Sequence, residues 1–130
     1  MTSRLEATRE TLSAALPDLI IQSATMAGAM DRPSVADGPV LKIADGCARG
    51  FVLALFADEG DPIDRIVADI AGVVERAVAS GIELGVEDGL HSTLILAFVR
   101  AEPILDEADF RIGMTLHYQP IEYTRSVETV

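Results

Sequence analysis

The sequence predicts an α+β domain in which a long helix and an N-terminal helix pack on a mainly antiparallel β-sheet. A stripe of apolar residues with a period of 3.6 follows Asp61-Pro62 and predicts the long helix. Phe51–Phe56 and Thr93–Val99 are apolar on both faces, and Phe110–Gln119 alternates apolar with polar residues, so all three predict strands. The order helix, strands, helix, strands lacks the strand–helix–strand alternation that a parallel sheet requires.

The first helix is expected over Ser3–Leu16. Ser3 and Glu6 have the spacing of a capping box, in which each side chain bonds a free backbone N–H at the helix start. The residues that share one helical face are apolar: Leu5, Leu12, Ala15 and Leu16. Pro17 ends the helix because its ring cannot continue it. The short apolar run Leu19–Ile21 then predicts a first strand.

The segment Ala24–Pro39 has the composition of a loop, with two glycines, two prolines and no sustained hydrophobic period. Connections inside compact domains are usually shorter, and loops of this length are typically functional or mobile. We therefore expect an extended loop here that becomes ordered against a neighbouring chain.

A hairpin is expected next. Val40–Ile43 and Phe51–Phe56 predict its two strands, and Ala44-Asp45-Gly46 predicts the turn. An antiparallel strand with one solvent-exposed face should alternate apolar and polar residues. Phe51–Phe56 does not alternate, so we expect both of its faces to be covered.

The long helix begins at Asp61-Pro62, where an N-cap carboxylate precedes a proline at the first helical position. Asp64 adds negative charge near the positive end of the helix dipole. The apolar stripe of this helix consists of Ile63, Ile66, Val67, Ile70, Val73, Val74, Ala77 and Val78. Gly81, directly after Ser80, is placed to end the helix.

The strand Thr93–Val99 is followed by an acidic segment, Arg100–Asp109, which contains Pro103. We interpret this segment as a connection between two strands. The expectation that both faces are covered applies to Thr93–Val99 as it does to Phe51–Phe56, because neither stretch alternates.

The last strand is expected over Phe110–Gln119, with one buried and one polar face. Pro120 has no N–H to donate and interrupts the ladder of hydrogen bonds. We therefore expect Ile121, Tyr123 and a polar tail, Thr124–Val130, to leave the sheet.

Length and charge limit the function. With 130 residues, the chain is expected to form a single domain, residues 1–130. Its 21 acidic and 10 basic residues give a formal charge of −11, which argues against direct nucleic-acid binding because phosphates would be repelled. Only Lys42 is a lysine, no two basic residues are adjacent, and no apolar stretch approaches the ~20 residues of a membrane span. We expect no membrane partner.

The residues that could carry chemistry form no known catalytic motif. Cys47 is the only cysteine, so we expect neither a disulfide nor a zinc ribbon and interpret it as a small buried thiol. Asp58-Glu59-Gly60-Asp61 lacks the twelve-residue pattern, closed by a glutamate, of a calcium loop. The sequence also lacks the phosphate-loop, dinucleotide-binding, zinc-protease and serine-hydrolase motifs.

The two histidines, His91 and His117, have no neighbouring residue that would complete a local metal pair. Each could meet a carboxylate in space, which for His117 is Glu122 or an acid on an adjacent strand. The acid pairs Glu87-Asp88 and Asp106-Glu107 are interpreted as solvated loop residues. We therefore predict that the protein is not an enzyme and has no catalytic, cofactor-binding or metal-binding residues and no cofactor.

Taken as a series, the elements resemble one family. The series consists of the leading helix with Arg4, Leu5, Leu12 and Leu16, the strand Phe51–Phe56, the helix start Asp61-Pro62-Ile63-Asp64, the strand Thr93–Val99, an acidic link with Glu102, Asp106, Glu107 and Asp109, and the strand Phe110–Tyr118 that continues to Glu122-Tyr123-Thr124. It is similar to the tail terminator proteins, also called tail-completion or minor tail proteins, of long-tailed bacteriophages and of phage-like particles such as gene transfer agents. The resemblance covers nearly the whole chain.

The resemblance implies a tail-terminator-like α+β fold and a structural virion protein without enzymatic activity. Such a protein forms a ring, expected to be a hexamer, that caps the head-proximal end of the tail tube, stops tube polymerisation and joins tail to neck. The implied partners are further copies of the chain, the tail-tube protein and a neck or stopper protein. The implied location is the virion, after assembly in the host cytoplasm. Its acidic charge would let DNA pass through the ring without binding.

Two other classes of function remain open at this point. One is a small-molecule-binding or regulatory α+β domain that dimerises through its apolar strands and closes glycine-rich loops over a ligand. The other is a metal-dependent or acid–base enzyme that uses His91 or His117 together with loop carboxylates.

Overall fold

The computed structural model of the protein describes residues 3–30, 39–46, 50–57, 60–106 and 111–127. Its elements, in chain order, are α1 Arg4–Ala15, β1 Ile20–Ala24, a short 3-10 helix Gly28–Met30, β2 Val40–Asp45, β3 Phe51–Ala57, α2 Ile63–Ser80, β4 Ile82–Glu87, β5 Leu90–Asp106 and β6 Arg111–Ser126. Strands account for 54% of the structure.

The six strands form one curled sheet, a half-barrel, in the order β1-β2-β3-β6-β5-β4. β1 runs parallel to β2, and all other neighbouring pairs are antiparallel. α1 contacts β1, β2 and β4, so it bridges strands from both ends of the curled sheet, whereas α2 contacts β5. The side of the sheet that packs on the two helices is called the inner face below, and the opposite side the outer face.

The predicted fold class, an α+β domain with a long helix laid on an antiparallel sheet, is wrong. The protein is mostly β and has two short helices. β5 and β6 contain 17 and 16 residues, and at ~3.3 Å per residue each is more than 50 Å long. α2, with 18 residues, reaches only about 27 Å at ~1.5 Å per residue. The helix begins at Ile63, one residue after the predicted first helical residue Pro62, and β5 and β6 together contain more residues than it does.

β5 continues through the segment that we interpreted as a connection. Arg100 pairs with His117, and the register runs on until Asp106 pairs with Arg111. β4 pairs only with the first residues of β5, so within the described residues this part of β5 is hydrogen-bonded on one side alone. Pro103 is tolerated there because a proline can face the unpaired edge of a sheet.

β6 likewise continues past Pro120, so the prediction that the chain leaves the sheet there is wrong. β3 pairs with β6 from Ile112 to Tyr118, and beyond that point the only described neighbour of β6 is β5. Pro120 therefore lies on a strand with a free edge, where its missing N–H is tolerated. The predicted tail starts inside β6, which ends at Ser126, and residues 128–130 lie outside the described part.

β4 was not predicted. It follows Gly81, whose φ of +76° ends α2 in the left-handed conformation that glycine adopts without strain. It is joined to β5 by a two-residue turn, Asp88-Gly89, with φ values of 52° and 73°. Two positive φ values characterise the type I′ hairpin turn, for which Asp-Gly is a preferred sequence. That dipeptide was the signal for β4.

The first helix is close to its prediction. The Ser3 hydroxyl accepts a hydrogen bond from the Glu6 N–H at 3.2 Å, which confirms the N-cap. The Glu6 carboxylate accepts a hydrogen bond from the Arg9 guanidinium at 3.1 Å. Arg4 donates to both carboxylate oxygens of Asp45 on β2, at 3.1 and 2.6 Å, and thereby fastens α1 to the sheet.

The predicted pairing of β2 with β3 is confirmed, but the predicted turn Ala44-Asp45-Gly46 is wrong in part, because Ala44 and Asp45 belong to β2 and pair with Val52 and Phe51. Residues 47–49, and with them the Cys47 prediction, lie outside the described part. Of the predicted loop Ala24–Pro39, the described residues 25–30 form a turn and the 3-10 helix Gly28–Met30. Residues 31–38 lie outside the described part, so the expectation of an arm that contacts a neighbour stays a prediction.

Candidate interaction surface

The sheet is staggered, which divides it into two regions. In one, here called the five-strand region, β1, β2 and β3 continue into residues 112–118 of β6 and 100–106 of β5. In the other, called the three-strand extension, residues 119–126 of β6 pair with residues 90–97 of β5, and residues 90–94 of β5 pair in turn with β4. The long hairpin of β5 and β6 belongs to both regions.

The five-strand region is covered on both faces at β3, where all seven residues are buried. On the inner face, Leu53 and Leu55 belong to the core that β3 shares with the helices. On the outer face, the 3-10 segment covers the sheet: Lys42 donates to the carbonyl of Gly28 at 3.1 Å, and its ammonium lies 5.7 Å from the centre of the Phe56 ring. The prediction that Phe51–Phe56 has two covered faces is confirmed.

The three-strand extension is covered on its inner face alone. Leu94 and Leu96 of β5 are buried in the core, whereas Thr93 and Ile95, which point to the opposite side, are only half-buried. Tyr123 and Ile121 of β6 pair with them and are 54% and 39% exposed. Cover on both faces was also expected for Thr93–Val99, and within the described residues the chain does not supply it.

These outer residues form the first candidate site, which is called the open face. Its apolar members are Val86, Ile95, Ile121 and Tyr123, and its polar members are Glu83, His91, Thr93 and Arg125. Residues that pair directly across neighbouring strands point to the same side, so these side chains adjoin one another. The open face is thus a contiguous strip of mixed apolar and polar groups on the outer side of β4, β5 and β6.

The second candidate site lies on the inner side, between α2 and β5, and is called the apolar groove. It has a volume of about 310 Å³. Its lining includes Ala71, Val74 and Glu75 of α2 together with Leu96, Phe98 and Tyr118 of the hairpin. Phe98 is 61% exposed and packs edge-on against Tyr118, with ring centres 5.7 Å apart. Burial raises the pKa of the Tyr118 hydroxyl to about 12.

A third depression, the interhelix groove, lies between the end of α1 and α2 and has a volume of about 660 Å³. Pro17 and Leu19 form part of one wall, and Ile66 and Val73 of α2 form part of the other. Charged side chains of both signs also line it: Asp18, Asp61, Asp69, Arg65 and Arg76.

The two histidines lie in different parts of the sheet. His91 Nε2 lies 3.6 Å from a carboxylate oxygen of Glu83 on the open face. His117 Nε2 lies 3.2 Å from the Thr115 hydroxyl and 3.9 Å from Glu102, so its carboxylate neighbour comes from the adjacent strand and not from Glu122. Among the described residues, no group of three or more histidine, cysteine, aspartate and glutamate side chains could hold a metal ion.

The acid pairs also separate. Glu87 and Asp88 are exposed at the end of β4 and in its turn, whereas Asp106 ends β5 and Glu107 lies outside the described residues. Of the residues that were compared with a calcium loop, Asp61 precedes α2, and residues 58–59 lie outside the described part.

No protein-family model matches the sequence, and a search of curated proteins finds no significant match. In the part of the chain that the structure describes, neither helix is long and apolar enough to cross a membrane.

Proposed function

We propose that the protein is a structural component that works by assembling with other protein chains, as the ring-forming tail terminator of a long-tailed phage or phage-like particle. In this role it caps the head-proximal end of the tail tube, stops the growth of the tube and joins the tail to the neck. Its partners are other copies of itself, expected to number six in the ring, the tail-tube protein and a neck protein.

The open face carries this proposal. Single exposed apolar side chains are normal on protein surfaces, but contiguous apolar groups bordered by polar ones mark interaction sites. Ile121 and Tyr123 lie two residues apart on β6 and therefore point to the same side. Val86 of β4 is 56% exposed on the same face, where it pairs with His91, which lies between it and β6. Aromatic residues such as Tyr123 are enriched in protein interfaces, because they bury a large area and retain a polar group at the rim.

The charge of the chain supports the same role. A formal charge of −11 repels DNA phosphates, so DNA would pass through a ring of such chains without adhering to it. The open face departs from this acidity, since its charged members Glu83 and Arg125 have opposite signs. Copies of an acidic chain can approach at such a surface with less repulsion than elsewhere.

Ring formation tests the proposal directly. Light scattering at micromolar concentration, followed by electron microscopy, should show rings or, in the presence of purified tail tubes, density on one end of each tube. Tubes that grow in the presence of the protein should also be shorter. A chain that stays monomeric and never binds tube ends would overturn the proposal.

A second candidate function rests on the interhelix groove, whose volume of about 660 Å³ lies within the ~300–1,000 Å³ of small-molecule sites. In that case the protein is a small-molecule-binding or regulatory domain. A thermal-shift screen of metabolites distinguishes the two functions. Saturable stabilisation by one compound, lost in Arg65→Ala and not accompanied by rings, would favour the ligand-binding function.

A further inference from the structure

We infer that the apolar groove receives Tyr123 from a second copy of the same chain, so that copies join head to tail. This inference rests on the proposed function, because a ring of identical chains uses two different surfaces of each chain at every contact. It goes further in assigning those two surfaces to the groove and to the open face.

The two surfaces are suited to each other in shape and polarity. The groove is a concave, mostly apolar site with an exposed aromatic wall at Phe98. Tyr123 is a large, exposed aromatic side chain flanked by Ile121 on a rigid strand. Interfaces typically gain most of their energy where such an aromatic residue enters a pocket and is shielded from water.

The volume of the groove indicates the size of its occupant. At about 310 Å³ it stands at the lower limit of the ~300–1,000 Å³ that small-molecule sites occupy. A single inserted side chain suits this volume better than a drug-sized ligand does. Edge-to-face stacking on Phe98 would then extend the contact that Phe98 already makes with Tyr118.

The positions of the two surfaces allow copies of the chain to join one after another. The groove lies on the inner side of β5, whereas Tyr123 points to the outer side of β6, the adjacent strand. When one copy inserts Tyr123 into the groove of the next, its own groove stays open for a third copy. Contacts of this kind continue until the accumulated rotation closes a ring.

Charge adds specificity. Glu75 lies on the rim of the groove, and Arg125 lies two residues from Tyr123 on β6. Both side chains are exposed, and neither has an ion pair within the described residues. Insertion of Tyr123 would bring Arg125 towards Glu75, so the contact joins charges of opposite sign in a chain that is otherwise strongly acidic.

Two variants test the contact. Ala71→Lys adds a long charged side chain at an exposed position of the groove, and Tyr123→Lys removes the inserted ring from the open face. Their matched controls are Ala68→Lys, about one helical turn earlier on α2, and Thr124→Lys, adjacent to Tyr123 on β6. All four positions are exposed, and thermal unfolding should show that all four variants fold.

We expect each test variant to weaken self-association at least about 30-fold, the loss typical of a central interface residue, and each control to stay within about threefold of wild type. An equal mixture of Ala71→Lys and Tyr123→Lys chains should form two-chain complexes and nothing larger. One intact groove then meets one intact Tyr123, and the remaining surfaces are both blocked. Analytical ultracentrifugation measures the association.

The outcomes separate the two proposals. Wild-type rings with Ala71→Lys or Tyr123→Lys assembling normally would overturn the groove contact and leave the tail terminator function standing. A mixture that stays monomeric would do the same, because the surfaces would not bind each other. A wild-type chain that assembles neither alone nor on tubes would overturn the proposed function together with the contact.

Charge reversal provides an independent readout. Glu75→Arg and Arg125→Glu should each weaken association about tenfold, and the double variant should return to within about threefold of wild type. A structural role of either residue would not predict this recovery. Additive losses in the double variant would contradict the assigned pairing of Glu75 with Arg125.

Discussion

β3 and residues Thr93–Val99 of β5 have the same sequence character but different surroundings. Both stretches are apolar on both faces, yet all seven residues of β3 are buried, whereas Thr93 and Ile95 of β5 are half-buried and Phe98 is exposed. The 3-10 segment covers the outer face near β3, and no described part of the chain covers it near β5. An apolar pattern on both faces of a strand therefore predicts that both faces are covered. It does not indicate whether the same chain or a neighbouring chain covers them.

The largest difference between the two regions is expected when one carboxylate is placed on each outer face. Ala44→Asp in the five-strand region should lose at least about 3 kcal/mol of unfolding free energy, because Ala44 is fully buried. Its register neighbours are Ala24 and Val52, so no cation pairs directly with it. Ala97→Asp in the three-strand extension should lose about 1 kcal/mol or less, since that face is partly solvated.

Urea denaturation followed by circular dichroism measures both variants. Equal losses would contradict the comparison, because they would mean that the outer face at Ala97 is as dry as at Ala44. The two variants should also differ in assembly, because Ala97→Asp should reduce self-association while the fold persists.

A slightly smaller effect is expected from truncating leucines. Leu53 is fully buried in the core, and Leu53→Ala should lose about 2–5 kcal/mol through lost burial and the cavity left behind. Leu90 at the start of β5 is 45% exposed, and Leu90→Ala should lose less than about 1 kcal/mol. Chemical denaturation of the two variants checks this, and a larger loss at Leu90 would be the contrary result.

The junction of the two regions can be tested through Tyr118, whose pKa is raised to about 12 by burial. The unfolded chain loses this proton near the ordinary value of 10.0, while the folded chain retains it. Stability should therefore fall as the pH rises from about 10 towards 12. In Tyr123→Phe, Tyr118 is the only tyrosine, so ultraviolet absorbance reports it alone. A titration midpoint of Tyr118 near pH 10 would show that water reaches the junction.

The smallest effect concerns the exposed part of β5. The Arg100 guanidinium bonds Glu102 at 2.7 Å and lowers the pKa of that carboxyl below its ordinary value of 4.5. The contribution of this pair to folding stability is present above pH 4.5 and disappears as the pH falls through the lowered pKa of Glu102. NMR titration should show the midpoint of Glu102 rising towards 4.5 in Arg100→Gln and also in high salt. An unchanged midpoint in both would contradict the pairing.

Part of the fold followed from local signals. The Ser3 N-cap, the helix start at Asp61-Pro62 and the doubly covered β3 were all predicted, because capping and hydrophobic patterning act over a few residues. The lengths of β5 and β6 were not predicted. Pro103 and Pro120 suggested strand ends, and whether a proline ends a strand depends on whether its edge is paired, which is a property of the assembled sheet.

The candidate site was predicted only in outline. The pattern of Thr93–Val99 indicated buried surface beyond one sheet, but the open face also needs Ile121 and Tyr123, which were expected to lie outside the sheet. β4 adds Val86 to the open face. The Asp88-Gly89 turn, which indicates a hairpin with β4, was interpreted as part of a solvated loop. The apolar groove depends on how α2 crosses β5, which no local pattern specifies.

The position of α1 has a consequence for how the chain folds. This helix precedes every strand in the sequence, yet it contacts β4, which begins more than sixty residues later. Contacts between distant parts of a chain form slowly, because a long loop must close before they stabilise anything. The packing of α1, which also contacts β1 and β2, is therefore completed only when β4 has joined the sheet. An element that precedes all six strands is thus among the last to be fully packed.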